Sequence, residues 1–432
     1  MKISVIGCGY LGAVHAASMA SLGHDVVGID VDADKIDALS AGRAPFFEPQ
    51  LPQLLLEGIE AGRLRFSTDI ADAAGSQVHF VAVGTPQLKT SGGADLTYVD
   101  AAFESLLPHV AAGDLLVGKS TVPVGTAARL AELVEPTGAL LAWNPEFLRE
   151  GYAVKDTVTP DRLVYGVGAD QTASVDLLNE VYATAVAANT PVVVTDYATA
   201  ELVKVAANAF LATKISFINA MAEIAEVTGA DVTQLADAIG YDARIGRRFL
   251  NAGVGFGGGC LPKDIRAFTA RAEELGRGES VAFLKEVDAI NLRRRQRAVD
   301  VVVEELGGSV FRKKVAVLGL AFKPDSDDVR DSPALDVAVQ LNGLGADVVA
   351  TDPEAIANSR RLHPQLHFGS LDEALDGADA VVLLTEWKEY RALDPAAVAA
   401  QVARPLLIDG RNALDAAAWR AAGWTYRGLG RK

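Results

Sequence analysis

Gly7-Cys8-Gly9-Tyr10-Leu11-Gly12 decides the fold of the N-terminal part of this chain. The stretch follows an apolar segment, Ile3–Ile6, and opens a helical pattern, Leu11–Ser21. Glycines between a strand and a helix permit a tight turn and let backbone N–H groups approach a pyrophosphate at the helix N-terminus. Asp30 ends the next predicted strand, about 20 residues further on, where a carboxylate accepts from a ribose hydroxyl. The pattern therefore predicts a dinucleotide site.

The acidic residues after that second strand predict which dinucleotide binds. Asp30, Asp32 and Asp34 would repel a 2′-phosphate, so the sequence favours NAD over NADP. Cys8 lies inside the turn and is interpreted as a small packed residue.

The first third of the chain alternates short apolar runs with helical patterns. Largely apolar strands that alternate with helices indicate a parallel sheet covered on both faces. The predicted strands are Ile3–Ile6, Asp25–Ile29, Arg63–Ser67, Val78–Val83, Leu115–Gly118 and Leu140–Trp143, and the predicted helices between them include Leu11–Ser21 and Tyr98–Leu107.

The pattern changes at Asp196, a candidate helix N-cap. Ala200–Val227 contains neither Pro nor Gly and predicts a helix on the order of 40 Å long, which would connect domains as a spine. Further helices are predicted at Val232–Ile239, Asp264–Glu274 and Ser280–Glu305.

A second αβ series begins at Lys314. Its predicted strands are Val315–Leu318, Ala346–Ala350, Ala380–Leu384 and Leu406–Ile408, with a helix that opens at Ser332-Pro333. The predicted fold class is α/β, with two Rossmann-like doubly wound domains joined by a long central helix and a helical middle domain. We expect domains at 1–195 (NAD binding), 196–305 (helical) and 306–432 (the second αβ series).

Length and charge exclude several classes of protein. A chain of 432 residues exceeds one hydrophobic core. With 40 basic and 56 acidic residues, its net charge of −16 argues against a nucleic-acid or anionic-membrane surface. Two cysteines are too few for a disulfide framework. With no signal-peptide pattern and no charge-free run of about 18 apolar residues, we expect a cytoplasmic protein.

The glycine-rich stretch Gly253–Asp264 carries the most specific chemistry. Cys260 stands just before Leu261-Pro262, the predicted start of a helix. A helix N-terminus and the neighbouring Lys263 both favour a thiolate. Asp264 lies one helical turn beyond Cys260 and can orient a water molecule or accept a proton.

Two other pairs of polar residues have the spacing of one helical turn. Lys204 and Asn208 project from one face of the long helix, where they can stabilise an oxyanion. Glu146 and Glu150 would share a face if their segment, Asn144–Gly151, is helical. A surface Glu–Arg patch is the alternative interpretation of that segment.

Local cations on this acidic chain indicate an anionic ligand. Lys323 and Arg330 follow the first strand of the second αβ series, and Arg411 follows a later one. Because ligands of open αβ sheets bind at the strand C-termini, these cations predict a nucleotide diphosphate there.

Taken together and in this order, the motifs resemble the UDP-glucose/GDP-mannose dehydrogenase family over essentially the whole chain. The motifs that carry the resemblance are Gly7–Gly12, Thr85-Pro86, Ser120–Gly125, Asn144–Gly151, Lys204 with Asn208, Arg244-Ile245-Gly246 with Phe249-Leu250, Gly255–Asp264, Phe322-Lys323 and Asp409-Gly410-Arg411. Two small departures are Leu11, where the family usually has Val, and Gly259, where Ser is common.

The resemblance implies roles for individual residues. The implied catalytic residues are Cys260 as nucleophile, Lys204, Asn208 and Asp264 for protons and the oxyanion, and Thr121 and Glu146 for the catalytic water. The implied NAD contacts are Gly7, Gly9, Leu11, Gly12, Asp30, Lys35, Thr85, Thr121, Glu150, Lys263 and Arg330. The implied substrate contacts are Glu146, Phe147, Leu148, Arg149, Glu150, Lys204, Asn208, Arg244, Phe249, Leu250, Asn251, Ala252, Gly253, Gly257, Lys323 and Arg411. No metal site is implied.

The implied activity is the NAD-dependent four-electron oxidation of UDP-glucose to UDP-glucuronate through a Cys260 thiohemiacetal and thioester. Arg244 would reach the substrate of a neighbouring subunit, so the resemblance implies a homodimer, with 196–305 as the helical dimerisation domain and 306–432 as the UDP-sugar-binding domain. Three alternatives stay open: a sibling enzyme acting on GDP-mannose or a UDP-N-acetylhexosamine, a two-electron hydroxyacid dehydrogenase, and a non-catalytic dinucleotide sensor. The first proton acceptor is not assigned, because the titrations of coupled groups belong to the cluster.

Overall fold

The computed structural model describes residues 1–88, 92–169 and 172–431. The chain divides into two compact units. Met1–Ala207 together with Ala270–Gly276 forms the first unit, and Asn208–Thr269 together with Arg277–Lys432 forms the second. The boundaries of the three expected domains stay a prediction.

The first unit contains one mixed sheet. Its strands are β1 (Lys2–Ile6), β2 (Asp25–Ile29), β3 (Leu64–Ser67), β4 (Val78–Val81), β5 (Leu115–Gly118), β6 (Leu140–Trp143), β7 (Leu163–Val167) and β8 (Val192–Thr195). They lie in the order β3-β2-β1-β4-β5-β6-β7-β8. All neighbours are parallel except β6 and β7. The chain order reverses between β1 and β4, which makes that point the topological switch where open αβ sheets bind ligands.

Helices cover both faces of this sheet. They are α1 (Tyr10–Ser21), α2 (Ala33–Ser40), α3 (Leu51–Glu60), α4 (Thr97–Leu106), α5 (Thr126–Val134), α6 (Ala153–Val158), α7 (Thr172–Val181) and α8 (Ala183–Ala187), with 3₁₀ turns at Ile70–Ala73, Leu107–His109 and Glu135–Thr137. Successive strand residues face opposite cores: Val26 packs with α1 and α3, whereas Val27 packs with α4 and α5. Burial on both faces explains why these strands are apolar throughout.

The second unit contains a wholly parallel sheet. Its strands are β9 (Lys314–Leu318), β10 (Asp347–Thr351), β11 (His367–Phe368), β12 (Ala380–Leu383), β13 (Leu406–Asp409) and β14 (Thr425–Gly428). Their order is β11-β10-β9-β12-β13-β14, so the switch point lies between β9 and β12.

Most of the remaining helices belong to the second unit. They are α9 (Tyr197–Thr228), α10 (Val232–Gly240), α11 (Leu261–Glu274), α12 (Phe283–Glu305), α13 (Pro333–Gly343), α14 (Ile356–Leu362), α15 (Leu371–Leu375), α16 (Lys388–Arg391), α17 (Pro395–Ala399) and α18 (Ala416–Ala421), with a 3₁₀ turn at Gly278–Val281. Ser332 caps α13 by accepting from the N–H of Leu335 at 3.3 Å. The predicted α/β class with two Rossmann-like sheets and a long helix is confirmed.

The long helix α9 starts where the sequence predicts it. Asp196 accepts from the N–H of Thr199 at 2.8 Å and caps its first turn. By length and composition, α9 is the one helix in the described ranges that is apolar enough to cross a membrane.

Two sequence expectations need correction or completion. Asn144–Gly151 is irregular rather than helical, so Glu146 and Glu150 share no helical face. Pro145 lacks a backbone N–H, and the Glu146 side chain accepts from the N–H of Leu148 at 2.6 Å, which favours a turn over a helix. The strands β7, β8, β11 and β14 were not anticipated.

Candidate active site

The glycine turn of the first unit has the geometry that a dinucleotide needs. Gly7 has a φ of 89° and donates its N–H to Ile29 at 2.7 Å. A Cβ on Gly12 would lie 1.8 Å from the carbonyl oxygen of Gly7, so only glycine lets α1 approach the turn this closely. A Cβ on Gly9 would meet nothing within 4 Å. The turn therefore leaves open space beside the α1 N-terminus, and Leu11 follows it in the first turn of α1.

Asp30 anchors this turn from the end of β2. Its carboxylate accepts from the N–H of Cys8 at 2.8 Å, from the N–H of Asp32 at 3.0 Å and from Nζ of Lys35 at 2.9 Å. The carboxylate has further lone pairs for a ribose hydroxyl. Cys8 is fully buried, as expected, and burial raises the pKa of its thiol. The open turn and the anchored carboxylate fit NAD.

The loops after β4 and β5 lie against each other. The Thr85 hydroxyl donates to the carbonyl of Thr121 at 2.8 Å, and the Ser120 hydroxyl donates to Val83 at 2.7 Å. The buried Glu201 of α9 accepts from the N–H of Gly125 at 2.8 Å, next to the start of α5. Two residues predicted from separate motifs, Thr85 and Thr121, are thereby brought together beside the switch point.

An ion pair links the loop after β6 to α9. Nζ of Lys204 lies 2.8 Å from Oε1 of Glu146, and both side chains are largely buried. Burial opposes ionisation of Glu146, yet Lys204 and the N–H of Leu148 hold the pKa of this carboxyl below its usual value. Glu146 is therefore an anion paired with a buried cation.

The rest of the Asn144–Gly151 loop surrounds this ion pair. The ring of Phe147 lies 5.7 Å from Nζ of Lys204. Arg149 is exposed and binds Asp156 through two side-chain hydrogen bonds, and Glu150 is half-buried.

Sequence reasoning missed a buried lysine behind Glu146. Lys119 follows β5, and its Nζ donates to Oδ1 of Asn144 at 2.9 Å and to the Tyr182 hydroxyl at 3.2 Å. Burial lowers its pKa to about 8, the nearby Glu146 opposes that shift and Lys204 adds to it. A lysine directly after a buried strand and directly before Ser120-Thr121 was the available signal.

A second missed residue, Glu48, supports the loop from α1's side of the sheet. Its carboxylate accepts from the N–H groups of Gly151 and Ala153 at 2.7 and 2.8 Å, and from the Tyr10 hydroxyl. Glu48 therefore joins the glycine turn, through Tyr10, to the start of α6. No periodic pattern marks it, because it lies in an irregular stretch.

In the second unit, Cys260 lies at the N-terminus of α11 with an exposed side chain. Its carbonyl accepts from the N–H of Asp264 at 2.9 Å, which closes the first turn of the helix. Asp264 is buried; it accepts from Nδ2 of Asn208 at 2.6 Å and lies 2.9 Å from Nζ of Lys263. The structure thus joins Asn208, Lys263 and Asp264 into one cluster in the turn that presents the thiol.

Two asparagines that sequence reasoning missed hold the glycine-rich loop before Cys260. Asn219 accepts from the N–H of Gly253 at 2.9 Å. Asn291 accepts from the N–H of Phe256 at 2.7 Å and donates to the carbonyl of Phe256 at 2.9 Å. Both asparagines are fully buried. Each lies within a long helix, where the sequence offers no sign that its amide faces a distant loop.

A close approach to backbone explains one of the loop's glycines, and a second lies against the end of an arginine side chain. A Cβ on Gly257 would lie 2.3 Å from the carbonyl oxygen of Asp331, and a Cβ on Gly259 would lie 2.3 Å from Cζ of Arg330. Arg330 is exposed and bound to Asp328, with Nη2 at 2.7 Å from the carboxylate. The guanidinium predicted to contact NAD therefore lies against the residue that precedes Cys260.

Arg411 fixes the loop to the second sheet. Its guanidinium donates to the carbonyls of Leu384, Gly255 and Phe322 at 2.6, 2.9 and 2.9 Å. Lys323, the other predicted phosphate ligand, is half-buried with its Nζ 5.4 Å from the ring of Phe322. Both cations lie past the carboxyl ends of strands: Lys323 follows β9, which borders the switch point, and Arg411 follows β13, the neighbour of β12.

The segment after α10 holds the remaining predicted substrate residues. Phe249 adopts a φ of 65° and is partly exposed, whereas Leu250 and Ala252 are buried. Oδ1 of Asn251 accepts from Arg247 at 2.8 Å. The side chain of Arg244 is 89% exposed, with its guanidinium bound to Asp242.

The comparisons with known proteins cover this whole arrangement. Models of three domains of the UDP-glucose/GDP-mannose dehydrogenase family match this chain. The NAD-binding domain matches residues 1–186, the central domain matches residues 198–293, and the UDP-binding domain matches residues 316–416. The first of these matches confirms the prediction of NAD as the cofactor, and the third supports a nucleotide-sugar substrate.

Full-length relatives agree with these matches. The chain is 42% identical to UDP-glucose 6-dehydrogenase of Rhizobium meliloti (strain 1021), with 100% of both chains covered. It is 40% identical to UDP-glucose 6-dehydrogenase YwqF of Bacillus subtilis (strain 168), covering 100% of this chain and 98% of the relative. A solved UDP-glucose dehydrogenase from Pyrobaculum islandicum superposes with a TM-score of 0.90 at 39% identity, covering 100% of this chain and 98% of the other. The chain belongs to the UDP-glucose/GDP-mannose dehydrogenase family.

Proposed function

We propose that this protein oxidises UDP-glucose to UDP-glucuronate with two molecules of NAD. The observation that carries the proposal is the exposed Cys260 at the N-terminus of α11, one turn from the buried Asp264. A two-electron dehydrogenase has no use for a thiol presented in this way, whereas oxidation of an alcohol to an acid benefits from holding the aldehyde covalently. The full-length relatives named as UDP-glucose 6-dehydrogenases support this substrate over the sibling sugars.

NAD supplies the acceptor for each of the two hydrides. The residues proposed to hold it are those of the glycine turn, with Asp30 on a ribose hydroxyl and Thr85 and Thr121 from the neighbouring loops. Lys35, which is bound to Asp30, keeps that carboxylate in place. Glu150, Lys263 and Arg330 are proposed as further contacts.

The first oxidation requires removal of a proton from the C6 hydroxyl of the sugar. We propose that Lys204 or Asp264 accepts this proton, with Asn208 donating to the oxyanion that develops. The buried pairing of Lys204 with Glu146, and of Asn208 with Asp264, pre-orients each side chain.

The thiol then retains the aldehyde until it is fully oxidised. The sulfur of Cys260 adds to the aldehyde carbon, and the oxygen takes up a proton, which gives a thiohemiacetal. Loss of the second hydride and of that proton leaves a thioester. A water molecule oriented by Glu146 and Thr121 attacks the thioester carbon, the C–S bond breaks, and the acid leaves while Cys260 is regenerated.

The stoichiometry of the reaction tests the proposal directly. With purified protein, NAD and limiting UDP-glucose, we expect two NADH for each UDP-glucuronate formed. One NADH for each molecule of oxidised product would indicate a two-electron, hydroxyacid-type dehydrogenase. NAD binding without any NADH formation would indicate a non-catalytic sensor. A trace that stays flat with UDP-glucose but rises with GDP-mannose or a UDP-N-acetylhexosamine would reassign the substrate.

We also propose that the protein forms a homodimer through α9 and the segment after α10. Phe210, Phe217 and Ile224 lie seven residues apart on α9 and are 67%, 49% and 56% exposed, an apolar stripe that a helix of a second copy would cover. Arg244 is proposed to reach the partner's substrate. Light scattering should give twice the mass of the chain, and Phe217→Asp should shift it toward the monomer.

A cytoplasmic location is part of the proposal. NAD and sugar nucleotides are substrates of soluble biosynthetic enzymes, and a chain with only two cysteines has no need of an oxidising compartment. Fractionation of cells that produce the tagged protein should place it in the soluble fraction.

A further inference from the structure

The first unit contains a pocket with polar groups at its buried end, which the proposed reaction does not yet use. It has a volume of about 50 Å³, is lined by His15, Lys119, Asn144 and Tyr182 at its buried end, and reaches Glu146. Its lining also includes Asp161, which is exposed, so the pocket extends from the protein surface to the buried side of Glu146.

The chemistry of the lining favours water as the occupant. Nε2 of His15 is buried, and no hydrogen-bond partner for it exists among the described residues. Nζ of Lys119 donates to Asn144 and to Tyr182. Because an ammonium carries three N–H groups, one further donor remains for water. About 10–15 Å³ of such space holds one water molecule, which needs two to four polar partners. An apolar ligand would leave these buried groups unsatisfied.

The proposed reaction needs an exit for protons. Oxidation of R–CH2OH with two NAD⁺ and one water gives R–COO⁻, two NADH and three H⁺, so three protons leave in each cycle. Glu146 and Lys204 are both largely buried, and bound substrate and cofactor exclude solvent further. A proton accepted in this cluster therefore requires a path to bulk water.

We propose that the pocket holds ordered water and carries protons from Glu146 to solvent. A proton on Glu146 passes to the pocket water, and that water releases a proton to bulk solvent near Asp161, so no bond other than O–H bonds is made or broken. Lys119, Asn144 and Tyr182 are positioning residues that orient the water. The inference rests on the proposed function, since it takes its protons from that reaction.

Thr157 offers a way to fill the pocket without touching the catalytic groups. It lines the pocket from α6 and is buried, with its hydroxyl bound to the carbonyl of Ala153 at 2.7 Å. Thr157→Leu adds volume inside the pocket. Thr157→Val is the matched control, because it loses the same hydroxyl and keeps the shape.

The assay measures kcat with UDP-glucose in weak buffer and then with increasing imidazole at constant ionic strength. We expect Thr157→Leu to lose about tenfold in kcat, to regain it as imidazole rises, and to keep the parental KM. Thr157→Val should stay near the parent. If Thr157→Leu keeps the parental kcat, the inference is overturned. It is also overturned if the kcat of Thr157→Leu falls, imidazole does not restore it and Thr157→Val shows the same fall.

A second measurement needs no variant. A high-resolution crystal structure of the parent protein should show a water within about 3.2 Å of Nζ of Lys119 or Nε2 of His15, and a dry pocket overturns the inference. If the parent itself makes no acid from UDP-glucose, the proposed function fails instead, and the two failures are thereby distinguished.

Discussion

Nζ of Lys204 lies 2.8 Å from Oε1 of Glu146, and both side chains are largely buried. An ion pair in this environment is costly to break, because the charge that remains is uncompensated. The pair therefore favours the ionised form of Glu146, whose pKa stays below its usual value because burial is outweighed by Lys204 and by the N–H of Leu148. A cation and an anion held side by side can transfer a proton and can orient a water molecule.

Removing the Lys204 cation should lower catalytic activity more than it lowers the stability of the rest of the fold. In Lys204→Met, Glu146 loses its partner and its pKa rises, so it can no longer orient water as an anion. We expect kcat to fall by about 10²–10⁴. Lys388→Met, which changes an exposed lysine of α16, is the control and should keep parental kcat. Steady-state NADH formation measures both, and a Lys204→Met enzyme within a factor of three of the parent would contradict the assignment.

The open space beside Gly9 leads to a prediction about cofactor binding. A methyl group at Gly9 meets nothing within 4 Å in the folded chain, so Gly9→Ala should fold normally. The same methyl group would occupy the space that the pyrophosphate needs. We expect KM for NAD to rise about tenfold or more, with KM for UDP-glucose and the melting temperature unchanged.

Gly343→Ala provides the control for that experiment, because a Cβ there also meets nothing within 4 Å and the residue ends α13 in the second unit. It should leave KM for NAD at the parental value. Equal KM values for NAD in Gly9→Ala and the parent would show that the turn does not hold the cofactor.

Asn291 should be a stabilising residue of the loop that carries the thiol. Asn291→Leu leaves the buried N–H of Phe256 without its side-chain partner, whereas the carbonyl of Phe256 keeps a 3.5 Å contact with Nη2 of Arg295. An unsatisfied buried group costs about 1–3 kcal/mol, so we expect the free energy of unfolding to fall by about 1–3 kcal/mol. Urea denaturation followed by circular dichroism measures this loss.

The matched control is Gln296→Ala, an exposed change on the same helix α12. Its stability should stay within about 0.5 kcal/mol of the parent. If Asn291→Leu were as stable as this control, the hydrogen bonds between Asn291 and the loop would contribute nothing.

The pH dependence of stability should reveal the buried Lys119. Its pKa in the folded protein is about 8, lowered by burial, and an unfolded lysine titrates at about 10.4. Between these values the unfolded chain binds more protons than the folded one, so the contribution of Lys119 to stability rises with pH in that window. Below pH 8 both states are protonated, and the full cost of burying the charge is present.

Comparison with Lys119→Met isolates this contribution. From pH 7.5 to pH 10 the parent should gain about 2 kcal/mol relative to the variant, measured by urea denaturation at each pH. A difference between the two proteins that stays constant over this range would mean that Lys119 is not buried as a charge.

Residues whose place in the fold follows from local pattern were located well, while their roles stay predictions. The glycine turn and Asp30 carry a spacing that strand, turn and helix dictate, and Cys260 stands directly before a helix start. The α/β class and the long helix follow from hydrophobic periodicity and from the N-cap at Asp196.

Residues that act across large sequence separations were not predictable in this way. Glu48 binds the N–H of Gly151, which is 103 residues away, and Asn291 binds Phe256, 35 residues away. Nothing near either residue in the sequence marks its partner. The short strands β7 and β8 were missed for a related reason, because their four and three apolar residues form segments too short to carry a measurable period.

The covalent role of Cys260 is tested most directly by rapid quenching of the parent enzyme during turnover of UDP-glucose and NAD, followed by mass spectrometry of the peptide that contains Cys260. We predict a UDP-glucuronyl thioester on that sulfur in the parent, and in Cys260→Ser a stall before the second NADH with no acid formed. A Cys260→Ser enzyme that still produces UDP-glucuronate at the parental rate, with no adduct on the parent's thiol, would contradict the account.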